Sequence, residues 1–205
     1  MKILFHICCG NCALYPFKLL RDEGHDLTGF WYNPNIQPYD EYRSRLDSLR
    51  KLSDDWHIDI FYNEEYRPNE FLNQFKFDDA AGINGLDHIP PAPERCKFCY
   101  TLRLEKAAAK ARDEGFEAFS TTLLISPYQD FERIDTIGRE LAVKYNLDFY
   151  LRDFRPYFRD AMSLARNLGL YRQKYCGCLF SKQERENAVR TEQLQRARNR
   201  GGLQA

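Results

Sequence analysis

Apolar residues follow two alternating rhythms along this chain. Short runs from Lys2 to Ile7, Leu27 to Tyr32, Ile58 to Tyr62, Phe116 to Leu124 and Leu147 to Leu151 read as five buried strands. Longer segments of helical period separate them. Leu14 to Leu20 opens one helix, and Tyr39, Tyr42, Leu46, Leu49 and Leu52 form the apolar face of the next, with Arg43, Arg45, Asp47 and Arg50 on its other faces. Phe71, Leu72 and Phe75 mark a short helix. Tyr100 to Glu114 is rich in helix formers and closes at Gly115, and Ile134, Ile137, Leu141 and Tyr145 mark a further face. The stretch from Gly82 to Glu94 carries Gly85, Pro90, Pro91 and Pro93 and predicts irregular structure. Beyond Arg159 the pattern is helical on either side of a loop from Leu170 to Cys178.

Strands alternating with helices predict an α/β fold, a doubly wound parallel sheet covered on both faces. We expect one domain over residues 1–185 and a basic, flexible tail over 186–205, where Arg190, Arg196, Arg198 and Arg200 add nonspecific attraction for phosphate. In such sheets ligands bind beyond the carboxyl ends of the strands, where the strand order reverses. Cys8-Cys9-Gly10-Asn11-Cys12 would stand there, and so would Thr121 to Pro127 if the fourth strand lies beside the first.

Composition narrows the class. The 205 residues carry 30 Lys plus Arg against 30 Asp plus Glu, so bulk charge does not announce a nucleic-acid partner, and any such partner must meet a local basic surface. No apolar run approaches the roughly 20 residues that span a bilayer, and Met1 to Ile7 is too short for a signal-peptide core. A cytoplasmic protein without a membrane partner is expected, with its thiols kept reduced. There is no phosphate-cradling glycine loop, which argues against nucleotide hydrolysis.

Seven cysteines therefore need an explanation other than a disulfide framework. They fall into three clusters, Cys8/Cys9/Cys12, Cys96/Cys99 and Cys176/Cys178, each at a strand end or in a loop before a helix. Buried small hydrophobes would sit singly within apolar runs, and these do not. Cys96 and Cys99 have the spacing by which one helical turn presents two thiolates to a metal, and at a helix start the free amides would favour the thiolate form. Cys8-Cys9 offers a second pair at the ligand-binding edge; four thiolates suit tetrahedral zinc or an iron–sulfur cluster, and adjacent cysteines tilt the choice to iron and sulfur. In Cys176-Gly177-Cys178 a bridge would close a small, easily reduced ring with glycine supplying the freedom, and Arg172 and Lys174 stand nearby, so the pair reads as a dithiol that cycles or ligates a second metal. Cys12 is left over, a ligand of an additional metal ion or a spectator. Of His6, His25, His57 and His88, only His6 adjoins the cysteines, as a core residue or a support for a cluster.

Taken together, His6 to Cys12, Tyr32-Asn33-Pro34-Asn35-Ile36 with Glu41-Tyr42, Arg95 to Tyr100, Thr121 to Gln129 and Cys176-Gly177-Cys178 resemble the QueH-type epoxyqueuosine reductases over residues 1 to about 185. The resemblance implies a sandwich similar to the adenine-nucleotide alpha-hydrolase (HUP) type, with cysteines replacing the nucleotide loop. It implies a 4Fe-4S cluster on Cys8, Cys9, Cys96 and Cys99 and a redox-active pair, Cys176 with Cys178. The implied oxidoreductase reaction is the last step of queuosine synthesis: removal of the epoxide oxygen of epoxyqueuosine at the wobble position of tRNA, with electrons from an unidentified donor. One departure is Gly10-Asn11, where the family usually has Ala-Pro.

An anticodon loop would be gripped by aromatic and arginine side chains. Tyr32, Asn33, Tyr39 and Tyr42 beside Arg43, Arg45 and Arg50 are one candidate surface, and Arg152, Arg155, Arg159 and Arg172 another. Tyr128, Asp130 and Tyr175 are candidate proton donors. Two other readings compete. A tRNA thiolase of similar fold would need an ATP loop that is absent here, and a zinc-stabilised nucleic-acid-binding module would leave Cys176 and Cys178 without a purpose.

Overall fold

The computed structural model describes residues 1–75 and 89–201. Five strands, β1 (Lys2–His6), β2 (Asp26–Trp31), β3 (Ile60–Tyr62), β4 (Ala118–Thr121) and β5 (Asp148–Phe149), form one sheet in the order β3-β2-β1-β4-β5. Every ladder is parallel, with Ile3 opposite both Leu27 and Ala118. The helices are α1 (Gly10–Asp22), α2 (Tyr39–Trp56), α3 (Asn69–Leu72), α4 (Ala92–Asp113), α5 (Phe131–Tyr145), α6 (Phe158–Asn167) and α7 (Leu179–Gly201). Right-handed crossovers put helices on both faces: α1 packs against α2 and α6, and α4 against α5. The expected doubly wound α/β sheet is therefore what forms. The order reverses at the β1–β4 pair, whose carboxyl ends lead into Cys8-Cys9 and Thr122.

The buried interior is continuous through Phe5, Phe17, Trp31, Leu46, Leu104 and Phe119. A smaller cluster gathers Phe71, Leu72, Cys99, Cys178, Leu179 and Phe180, and it joins α3, α4 and α7 at the same end of the sheet.

Several boundaries differ from the sequence pattern for identifiable reasons. The run Phe116 to Leu124 is strand only to Thr121; a 3-10 turn follows over Thr122–Ile125, capped by the Thr121 hydroxyl accepting from the Leu123 amide, and its leucines are apolar because they are buried. Helix α4 begins at Ala92, so the last residues of the expected irregular run are helical, with Pro93 in the first turn where no amide donor is required. Residues 82–88, including Gly85 and His88, lie outside the described residues. Residues 186–201, expected as a tail, continue a helix that starts at Leu179, while the Arg200 side chain and residues 202–205 lie outside the description. The Arg95 guanidinium, donating to Glu184 at 2.5 Å, ties α7 to α4. Among the described residues, no helix is long and apolar enough to cross a membrane.

Arg45 overturns one expectation outright. The helical wheel puts it outside, yet it is 1% exposed, because Glu41 and two carbonyls of the 170–178 loop satisfy its guanidinium inside.

Candidate metal and redox site

Cys8 and Cys9 occupy the turn between β1 and α1, and Cys12 the first turn of α1. All three are buried, and their sulfurs lie within 4.8 Å of one another, with Cys8 and Cys9 at 3.8 Å. The Thr122 hydroxyl, at the switch point, accepts from the Cys8 amide at 3.2 Å and sits 3.4 Å from its sulfur.

This crowding sets the protonation of the thiols. Hydrogen bonds from Cys12 and Cys9 hold the Cys8 thiol well below its ordinary value, helped by the charge of Arg103. Cys12 is pushed the other way by its contacts with Cys8 and Cys9, and Cys9, despite the opposing contact with Cys12, rises to about 12 through Cys8 and burial. The same contacts thus favour ionisation at Cys8 and oppose it at Cys9 and Cys12. All three become thiolates together only when a bound cation removes their repulsion, which is the donor chemistry of a metal centre.

Cys96 and Cys99 lie one turn apart in α4, Cys99 buried and Cys96 half-buried. Because α4 starts at Ala92, the free amides of its first turn precede Cys96, and the expected help from the helix start falls to other groups. Burial raises Cys99 to about 12, opposed by Arg103, whose Nη1 approaches the sulfur at 3.6 Å. Arg103 also donates through Nε to His6 Nε2 at 3.2 Å and through Nη2 to Asn33 Oδ1 at 2.9 Å. His6 Nδ1 is 2.9 Å from the Thr121 hydroxyl, and burial pushes the ring's pKa down to about 3, so His6 is neutral. Fully buried and hydrogen-bonded, His6 is the core residue its strand position suggested, and it adjoins the cysteine site as well.

The loop before α7 is pinned from beneath. Arg45 donates to the Cys176 and Tyr175 carbonyls at 2.9 and 3.0 Å, the Gln37 amide donates to the Gly177 carbonyl at 2.9 Å, and the Tyr175 hydroxyl donates to the Gln37 carbonyl at 2.5 Å. Asn11 donates to the Tyr171 carbonyl at 2.9 Å, which binds the same loop to the cysteine turn. Gly177 has φ +134°, a conformation reserved for glycine, and an added Cβ would meet Arg45 and Ile36 at 3.2 Å. Cys176 is thereby held at the surface as a residue, while burial of the sulfur itself raises its thiol above the ordinary value, as it does for Cys178. Cys176 is the one exposed cysteine of the seven, contacted at 3.8 Å by Gln129 Nε2, whereas Cys178 is buried beside Ser181 in the same cluster as Cys99. The Tyr100 hydroxyl, one residue past Cys99, donates to Gln129 Oε1 at 3.0 Å and so orients that amide.

The three cysteine clusters therefore converge on one end of the sheet. The thiols that meet within 4.8 Å are Cys8, Cys9 and Cys12; Cys99 is linked through Arg103 to His6 on the strand that leads into them, and Cys96 packs against the core cluster that contains them. The sequence placed Thr122 and Gln129 within a motif and Arg45 on a candidate surface, but it gave none of them, nor Arg103, the contacts described above. Among the candidate proton donors, Tyr175 is committed to Gln37, and Asp130 caps α5 and pairs with Arg133, which lowers its pKa, while Tyr128 stands 82% exposed. The first candidate RNA surface is largely interior: Tyr32, Asn33, Tyr42 and Arg45 are buried, leaving Tyr39, Arg43 and Arg50 outside, the two arginines paired with acids. In the second, Arg152 and Arg155 pair with Glu23 and Asp153, while Arg159 and Arg172 are exposed and form no ion pair among the described residues.

Residues 3–184 match the family described as Epoxyqueuosine reductase QueH. A relative of that name from Dehalococcoides mccartyi is 35% identical over 184 residues, covering 90% of this chain and 94% of its own. Another, from Thermotoga maritima, is 33% identical over 203 residues, 98% of each chain. Among solved structures, the U34-tRNA thiolase NcsA from Methanococcus maripaludis with its [4Fe-4S] cluster superposes with a TM-score of 0.51 at 14% identity, covering 88% of this chain and 61% of that one, a likeness of fold.

Proposed function

The chain belongs to the epoxyqueuosine reductase QueH family, and on that premise we propose that it reduces epoxyqueuosine to queuosine at the wobble position of tRNA, in the cytoplasm. The observation that carries this reading is the convergence of seven free cysteines on the switch point of the sheet, where a buried thiol group adjoins an exposed one. Both epoxide C–O bonds break, a C=C bond forms, and the oxygen leaves as water after taking two electrons and two protons. The residues fit a thiolate-held centre, because the buried thiols lie close together beside buried guanidinium groups. Cys8, Cys9, Cys96 and Cys99 would hold a 4Fe-4S cluster, with Cys12 placed to add a ligand to an additional iron ion. When bound, such a cluster transfers electrons singly and offers Lewis acidity.

The chain's own groups supply the rest. Two thiols at Cys176 and Cys178 release two electrons and two protons on forming a disulfide, which matches the requirement of the epoxide; an external electron donor then restores them. Arg45 and Gly177 hold Cys176 at the surface, where a nucleotide turned out of the anticodon loop can reach it, and Gln129 places an N–H against its sulfur. Tyr128, exposed beside Gln129, is the available hydroxyl for proton delivery or base stacking.

Anaerobic purification followed by iron, zinc and sulfide analysis tests the cofactor. The expected product is coloured and contains iron and acid-labile sulfide; a colourless protein with stoichiometric zinc contradicts it.

A further inference from the structure

Arg103 is 1% exposed, and among the described residues no carboxylate forms an ion pair with it. The other two buried arginines are answered, Arg45 by Glu41 at 2.8 Å and Arg95 by Glu184 at 2.5 Å. A buried cation without a counter-ion is among the costliest features a fold can carry. His6 cannot answer the charge: an imidazole carries no negative charge, and its Nε2, 3.2 Å from the Arg103 Nε, also lies 3.3 Å from the Tyr32 carbonyl. Asn33 cannot either, because its Nδ2 donates to the Ile7 carbonyl at 2.9 Å and its neutral Oδ1 is what faces Arg103. The groups that can carry the missing negative charge are sulfurs: Cys99 in contact, with Cys8 and Cys176 within electrostatic reach. The three acceptors come from β1, the loop after β2 and α4, so one rigid guanidinium joins the Cys96/Cys99 helix to the strand that leads into Cys8 and Cys9.

Resting on the cluster reading above, we propose that Arg103 is the buried counter-charge and positioning residue of the thiolate site. It fixes Cys99 relative to Cys8 and Cys9, and its charge raises the reduction potential of the iron–sulfur centre those thiolates hold. The sign follows because four thiolates leave such a site net negative, and a fixed positive charge favours the state with one more electron.

The test uses anaerobically prepared holoprotein: wild type, Arg103→Lys and Arg103→Gln, each compared for iron and sulfide per chain, loss of visible absorbance in excess chelator, and midpoint potential by a titration followed by electron paramagnetic resonance. Arg103→Gln keeps amide donors and loses the charge, so its potential shifts to more negative values. Arg103→Lys keeps the charge and loses the planar fork, so its potential stays near wild type while it surrenders iron to chelator severalfold faster. A Gln variant with the wild-type potential overturns the inference. Should the Gln protein not fold, the Lys protein decides: loading with a near-native potential upholds the inference, and failure equal to that of Gln overturns it. Wild-type protein without iron and sulfide is a different result, and it removes the cluster reading itself.

Discussion

Among seven cysteines, Cys176 differs by its exposure and Cys8 by the ease with which its thiol ionises. These differences separate the roles by experiment. Serine at Cys8, Cys9, Cys96 or Cys99 is expected to abolish the visible absorbance of anaerobically prepared protein, because each removes a thiolate from the metal. Serine at Cys176 or Cys178 is expected to leave the absorbance largely intact and stop turnover; collapse of absorbance there makes those sulfurs ligands instead. In metal-free protein, brief treatment with iodoacetamide labels Cys176 first, as peptide mass spectrometry can show, since the other six thiols are wholly or partly enclosed.

The elements carry the geometry that makes those roles possible. Replacing Gly177 by alanine forces a side chain into a glycine-only conformation against Arg45 and Ile36, with an expected loss of about 1–3 kcal/mol and a matching fall in turnover. Arg45→Met leaves the buried Glu41 with the Tyr171 hydroxyl but no counter-charge and frees the Tyr175 and Cys176 carbonyls, so thermal or denaturant unfolding should show a loss of about 3–5 kcal/mol. At Gly138, an added Cβ would lie 2.3 Å from the Phe149 ring, so Gly138→Ala must push α5 off β5 and should cost about 1–3 kcal/mol without touching the cysteines. The alternation of strands and helices was legible in the sequence because period follows burial, and the Cys8/Cys9/Cys12 cluster was legible because a strand end puts it at the switch point. Arg45 was not, because a charged residue on a helical wheel reads as exposed, and its partners Tyr175 and Cys176 lie 130 and 131 positions away. Arg103 was hidden for the same reason, and Gln129, though part of a recognised motif, had no stated role: their meaning lies in contacts with His6, Asn33 and Cys176 that periodicity does not encode. The close approach of Cys12 to Cys8 and Cys9 follows from α1 starting at Gly10, a boundary placed later by the apolar pattern.

For the whole molecule, zero net charge leaves RNA affinity to a local surface. Arg159 on α6 and Arg172 in the loop before Cys176 are exposed and unpaired among the described residues, in contrast to the acid-paired Arg152 and Arg155. Alanine at Arg159 and Arg172 should weaken tRNA binding similarly for all sequences and reduce the slope of log affinity against log salt by about one for each phosphate left without its arginine; filter binding over a salt series reads both. The reaction itself is the central claim, and it is tested most directly by incubating reduced, iron-loaded protein with tRNA carrying epoxyqueuosine and digesting the RNA for mass spectrometry. The account predicts conversion of the modified nucleoside to one lighter by a single oxygen atom, dependent on Cys176 and Cys178. Recovery of unchanged epoxyqueuosine from protein with its full complement of iron and sulfide would contradict it.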